Sequence, residues 1–289
     1  MQQDRAKPEA CLAMVTALMP EARPLIDHFR LQKIKGRSPF PIFRSEDGRH
    51  CLVVSGMGKI LSASATTSLY HEMGELPGMA WLNIGIAGHR TRELGDLRWV
   101  NKIEDAASGQ KWYPPRWIKT GSRQASALLT VDQAGEYPGG DTLVDMEASG
   151  FYQIASRFSS RELVQCVKLV SDNAENSWKD LKKGQVGLWI RAQLDDIVAG
   201  SEELLVLSGD EMKRCRLPRE AEQMLDLWHF TQTEKHQLFK ILRQRQVLAS
   251  EQDKAVLFCQ NNGVRSAKEI LPLLRQELAG KGDESIMKI

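Results

Sequence analysis

An α/β fold, with a central mixed sheet flanked by helices and an all-helical appendage after it, is predicted by three observations. Strand-like and helix-like apolar runs alternate between residues 11 and 212. The first of them, "CLAMVTALM" (residues 11–19), is continuously apolar, as a strand covered on both faces has to be. Beyond residue 217 no strand-like run occurs, and apolar residues fall at helical spacing. The chain therefore divides into an α/β domain over residues 11–212 and a helical appendage over residues 218–280.

Taken in order, residues 1–8 form a polar tail. The nine-residue run behind Arg5 and Lys7 is short for a leader and lacks a small-x-small cleavage pattern, so it is read as a buried strand. Pro20 then opens a helix with Glu21 in its first turn. A hairpin follows around Asp47-Gly48, its second arm running into "SGMGK". Residues 60–73 carry Leu61, Ala65, Leu69 and Met73 at steps of four and stop near Gly74, which predicts a helix. "MAWLNIGIAG" is the next strand, and "GDLRWVNKIEDA" alternates through Leu97 and Trp99 as an edge strand does. Pro114-Pro115 makes "GQKWYPPRW" a loop, because two backbone donors are missing. "SALLTVD" and "DTLVDM" are strands, residues 147–158 a helix, "ELVQCVKLVSD" the last central strand, and residues 180–200 a closing helical segment. In the appendage, Met224, Leu225, Trp228 and then Leu238, Phe239, Leu242 predict three or four helices. Ser266 and Glu269 fit a capping box there, and Pro272 predicts a kink.

The composition excludes several functions. With 42% hydrophobic and 26% charged residues the chain is globular, and a net charge of +2 gives no field for nucleic acid or acidic membrane. No apolar run approaches the ~20 residues of a membrane helix. Five cysteines without a C-x-x-C pair suit reduced thiols and a cytoplasmic location. Six scattered histidines show no metal spacing, so neither metal nor cofactor is expected. No G-x-S-x-G elbow is present. Arg214, Arg216 and Arg219 are read as a solvated linker, and "WKDLKK" as a solvent-facing helix start.

In an open α/β sheet, ligands bind beyond the carboxyl ends of the strands. Five such ends carry distinctive residues: Glu21; Ser55 to Lys59 with Gly56 and Gly58; Gly85, Ile86, Ala87, Gly88 and His89; Met146-Glu147; and Ser171-Asp172. "SGMGK" lacks the third glycine of a dinucleotide loop and has Ile60 where a P-loop needs Ser or Thr. Singly, each acid reads as a helix-dipole or capping residue.

Together, in this order, "TALMPEA", "SGMGK", "NIGIAG", "VDMEA" and "KLVSD" resemble the nucleoside phosphorylase and nucleosidase superfamily, above all its methylthioadenosine/S-adenosylhomocysteine nucleosidases, over residues 11 to about 200. The resemblance implies a three-layer α/β fold, a small-molecule nucleoside as ligand and a homo-oligomer. It implies that Glu21 positions the attacking water, that Met146 and Glu147 hold the ribose with Glu147 accepting its hydroxyls, and that Asp172 protonates the leaving base. Ser171 and the glycine loops, Gly56, Gly58 and Gly85 to Gly88, would line the substrate site. Such an acid must carry a proton near neutral pH, which asks for burial or neighbouring carboxylates around it. Asp145, still on its strand, is read as supporting Glu147 or facing solvent.

Asn83 and Ile86 stand where the resemblance would put phosphate ligands, so hydrolysis is favoured over phosphorolysis, with Arg90 and Arg92 keeping phosphate as a possible partner. The segment before Met146 is short, and its base-stacking position falls near Ala134 or Gly135. Tyr137 is read as an exposed loop residue, the alternative being that it replaces that aromatic, and His89 as a loop histidine. A third function, a catalytically weak scaffold that binds a protein partner through the appendage, also fits the sequence.

Overall fold

The computed structural model describes residues 8–36, 38–115, 124–135, 137–182, 184–216, 219–248 and 255–286. It consists of two compact units, residues 1–215 and residues 216–289. In the first, ten strands belong to one sheet: β1 (Leu12–Thr16), β2 (Gln32–Lys33), β3 (Ile42–Arg44), β4 (His50–Val54), β5 (Ala80–Gly88), β6 (Leu97–Asp105), β7 (Lys111–Trp112), β8 (Ala125–Thr130), β9 (Thr142–Asp145) and β10 (Val164–Asp172). Its helices are α1 (Met19–His28), α2 (Lys59–Glu72), α3 (Ala148–Phe158), α4 (Gln185–Ala192) and α5 (Leu194–Cys215).

The continuous apolar runs become strands with two buried faces. Along β1, Cys11, Ala13 and Val15 join a core with Ala65 and Leu69 of α2 and Phe151, Tyr152 and Ala155 of α3. Leu12 and Met14 join the opposite core with Leu25 of α1, Ile190 of α4 and Leu204 of α5. Side chains alternate across a strand, so one sequence supplies both cores, and each large apolar side chain so buried contributes roughly 1.5–3 kcal/mol. Three layers result.

The predicted edge strand β6 is not an edge. It pairs antiparallel with β10 and parallel with β8, and also meets β7. Because β8 pairs with β9, β9 with β5, and β5 with β10, these five strands close on themselves. Closure gives every strand two neighbours while leaving the alternating pattern of an edge strand intact. β5 also carries the open part of the sheet, β1, β4, β3 and β2, on its other side. The closing helical segment also runs further than expected: α5 continues to Cys215, with Ile197, Leu204, Leu205 and Met212 buried along it. Pro114-Pro115 lies in loop as predicted, while Arg116 and Trp117 of "GQKWYPPRW" lie outside the described residues.

Two features set the site. β1, β4, β5 and β10 are mutually parallel through their pairings, so Thr16, Val54, Gly88 and Asp172 end on one side of the sheet. β9 runs antiparallel to β5 and touches it only at Gly88 and Val144, which brings the end of β9 to the same place. There α3 crosses α2 so closely that a Cβ on Gly150 would lie 2.0 Å from the Lys59 carbonyl oxygen.

The second unit has four helices among the described residues, α6 (Arg219–Leu227), α7 (Gln232–Leu248), α8 (Ala255–Asn261) and α9 (Ala267–Ile286). Met224, Leu238, Leu242, Ile270 and Leu274 form its core. α9 begins after Ser266 and runs through Pro272. Glu269 accepts from Arg265 N at 2.9 Å at that helix start.

Candidate active site

Glu21, Glu147 and Asp172 line one cavity of about 310 Å³, together with Ala17, Leu18, Met57, Ile86, Ala87, Gly88, Tyr137, Met146, Ser171 and Trp178. Three separate stretches of chain converge there, the first more than a hundred residues before the other two, and the three acids are 1%, 8% and 8% exposed.

Glu21 occupies the third position of α1, where helix N–H groups lack partners. Its Oε2 accepts from Ala17 N and Leu18 N, each at 2.8 Å, and its Oε1 accepts from Ile86 N at 3.1 Å. Burial raises its pKa, opposed by these donors and by the Lys168 ammonium. Gly85 does not line the cavity; it gives the carboxylate room, since a Cβ there would stand 3.1 Å from Glu21 Oε1.

Glu147 is the residue before α3, yet its side chain does not cap that helix. Asp145 does so, its Oδ2 accepting from Ala148 N at 2.8 Å, while Thr130 Oγ1 accepts from Ser149 N at 3.0 Å. Glu147 is thereby released toward the cavity, where Oε1 accepts from Gly58 N at 2.8 Å. Burial first, and the Asp145 charge next, push its pKa up to about 7, against the pull of Lys168 and the Gly58 N–H. Neither Gly56 nor Gly58 lines the cavity. Gly58, at φ +102°, aims its N–H at Glu147, and Gly56, at φ +85°, donates to the Ala17 carbonyl. Both work behind the wall by shaping the loop.

Asp172 ends β10 beyond a register shift against β5. The Ser171 hydroxyl donates to its Oδ1, and the Tyr137 hydroxyl donates to its Oδ2 at 2.6 Å. Met146, Ile86, Ala87 and Gly88 form part of the cavity wall.

The structure corrects one reading and sharpens three others. Tyr137 is partly buried against Asp172 rather than an exposed loop residue. Asp145 does not face solvent: its Oδ1 accepts from Thr130 Oγ1 and its Oδ2 lies 2.8 Å from Lys168 Nζ, both side chains being essentially inaccessible. "WKDLKK" opens on a short helical turn and faces solvent as expected, Trp178 being 44% exposed, yet Trp178 and Leu181 also line the cavity. His89 is a loop histidine as expected, but a buried one, its Nδ1 accepting from Thr91 N and Arg92 N, so the neutral ring braces its own turn. Burial and Arg92 lower its pKa, in keeping with that neutral state.

Lys168 escaped the sequence reading altogether. Its signal was available: a lysine inside the otherwise apolar "LVQCVKLV" has to find an acid, because an unpaired buried ammonium is not tolerated. Its pKa is raised because the attraction of Asp145 and Glu147 outweighs burial. Arg92 is committed to Asp96 and Asp141, and among the described residues no arginine lines the cavity. Groups of histidine, cysteine and carboxylate able to hold a metal are absent among the described residues. No helix of the described residues is long and apolar enough to cross a membrane.

No family model matches the chain, and no curated protein matches it by sequence. Solved structures do match by shape. A futalosine hydrolase mutant of Helicobacter pylori superposes with a TM-score of 0.52 at 13% identity, covering 67% of this chain and 99% of that one. The α/β unit has a nucleoside phosphorylase/nucleosidase-like fold. An MTA/SAH nucleosidase gives 0.50 at 18% identity over 71% of this chain and 97% of its own. An apo 5'-methylthioadenosine nucleosidase of Arabidopsis thaliana gives 0.50 at 17% over 71% and 96%. At such identities the likeness is one of fold, and function rests on the cavity.

Proposed function

We propose that the protein hydrolyses the N-glycosidic bond of a purine nucleoside or a related nucleoside. The observation that carries this reading is the convergence of Glu21, Glu147 and Asp172 on one cavity of about 310 Å³. The neighbours of similar fold include a futalosine hydrolase and 5'-methylthioadenosine nucleosidases, which supports the same class of reaction.

Cleaving such a bond leaves positive charge on the sugar and negative charge on the base, so the site needs carboxylates near the sugar and a proton donor at the base. In this reading Glu147 accepts the ribose hydroxyls, with Met146 against the sugar. Water adds its oxygen to C1′ and gives a proton to Glu21. The C1′–N electron pair leaves with the base, which takes a proton from Asp172. Lys168 opposes the rise in the pKa of Glu21 and Glu147 without entering the cavity wall.

Hydrolysis is preferred to phosphorolysis because a phosphate dianion would face Glu21 and Glu147 with no arginine in the wall among the described residues. A homo-oligomer belongs to the same proposal, supported by Met57 and Ile60, which are 62% and 78% exposed near the cavity mouth; light scattering of the purified protein checks it. The activity is tested by incubating the protein with a nucleoside panel, with and without phosphate, and separating free base by chromatography. Base release independent of phosphate is the expected result. A strict phosphate requirement would select phosphorolysis, and no base from any substrate would remove the enzymatic reading in favour of a scaffold acting through the helical unit.

A further inference from the structure

We propose that Tyr137 is a positioning residue for the leaving-base acid: with Ser171 it forms a two-hydroxyl clamp that stabilises the Asp172 carboxylate as its proton passes to the base. This rests on the hydrolytic reading and adds to it a group that the sequence motifs did not contain.

The contact is built into the structure. Tyr137 belongs to the segment between β8 and β9, where Gly135 and Gly140 have φ of +133° and +78°. From there its hydroxyl reaches a carboxylate 35 residues away at 2.6 Å, a length typical of a hydroxyl donating to an anion. Its ring lies over Gly88, where a Cβ would stand 2.6 Å from Tyr137 Cε1 and 2.7 Å from Asp172 Oδ2. Only glycine there permits the ring and the acid to meet. The two carboxylate oxygens are served separately, Oδ1 by Ser171 and Oδ2 by Tyr137. Each oxygen accepts a second hydrogen bond or holds a proton on its other lone pair. The phenol keeps its proton through the working pH range, since burial and the Asp172 charge both raise its pKa. It therefore acts as a donor.

The chemistry follows from where charge develops. As the glycosidic bond breaks, its electron pair goes to the base and the Asp172 O–H bond breaks, its proton forming an N–H bond on the base ring. The O–H pair stays on Asp172, which becomes anionic at that moment. Two hydroxyls already aimed at its oxygens stabilise the ionised product more than the protonated reactant, and such differential stabilisation lowers the barrier.

Tyr137→Phe keeps the ring over Gly88 and removes only the hydroxyl. The expected result is a loss of about 10- to 100-fold in kcat/KM for purine nucleosides. Hydrolysis of 4-nitrophenyl ribofuranoside, whose leaving group departs without needing a proton, is expected to change by no more than about twofold, because the general-acid contribution is not in play. In an Asp172→Asn background the same substitution has no further effect on purine substrates. Equal losses on both substrates, or an additive loss beside Asp172→Asn, each overturn the inference and leave a structural tyrosine. Wild-type protein releasing no base from any nucleoside overturns instead the hydrolytic reading beneath it.

Discussion

In the helical unit, buried charge is spent on holding helices. Glu220 accepts the Ala255 N–H at the start of α8, and Arg245 of α7 pairs with Glu277 of α9. In the α/β unit, Glu21, Asp145, Glu147 and Asp172 are buried with Lys168 as the nearby buried cation, and all four acids line one hollow. The first arrangement is close to neutral. The second carries excess negative charge against an empty volume, a costly combination that a fold keeps where a ligand or a developing positive charge uses it. Asp145 and Glu147 both line the cavity but differ in their partners: the Asp145 carboxylate is taken up by a helix start and an ion pair, while Glu147 caps no helix and, among the described residues, pairs with no cation.

The comparison can be broken by substitution. The largest effect is expected at Asp172: Asp172→Asn lowers base release by about 100- to 10,000-fold, measured as kcat on the best nucleoside of the panel. Next, Lys168→Met strands the Asp145 carboxylate in the core and costs about 3–5 kcal/mol in chemical denaturation. The equivalent cut in the helical unit, Arg245→Met, costs less, about 1–2 kcal/mol by hydrogen exchange of α7 and α9, because Glu277 keeps some access to water.

Glu147 sharpens the contrast through pH. Its pKa rises from 4.5 to about 7 on folding, so the folded state binds this proton more tightly than the unfolded one. Below about pH 4.5 the acid is neutral in both states and burial is without electrostatic penalty. As pH rises through 7 the charged form must be buried, at a cost of at most about 3 kcal/mol. Glu147→Gln is therefore expected to stabilise the protein by about 1–3 kcal/mol at pH 8 and hardly at all at pH 4, while reducing activity, as paired melting and rate measurements would show. In the wild type, KM for the nucleoside falls as pH rises through about 7, since the ionised acid accepts the sugar hydroxyls better.

Much of this was legible in the sequence because it is local. The two-faced run of β1, the glycine-ended strands, and acids at the third position of one helix and just before another are all patterns of a few residues. β6 was misread because alternation reports which face is wet and says nothing about how many neighbours a strand has; closure of five strands is a long-range property. The Asp145–Lys168 pair joins β9 to β10, and Tyr137 reaches Asp172 through a glycine-rich loop. Neither contact leaves a periodicity to read, although a lysine in an apolar strand does announce that an acid is near.

The most direct test of the convergence of the three acids is a crystal structure with a carbon-linked purine nucleoside, whose C–C glycosyl bond cannot be hydrolysed. The account predicts the purine ring nitrogen within hydrogen-bond distance of Asp172, both sugar hydroxyls on Glu147, and a water between Glu21 and the anomeric carbon. A nucleoside bound elsewhere, or one in this cavity with its sugar turned away from Glu147, would contradict it.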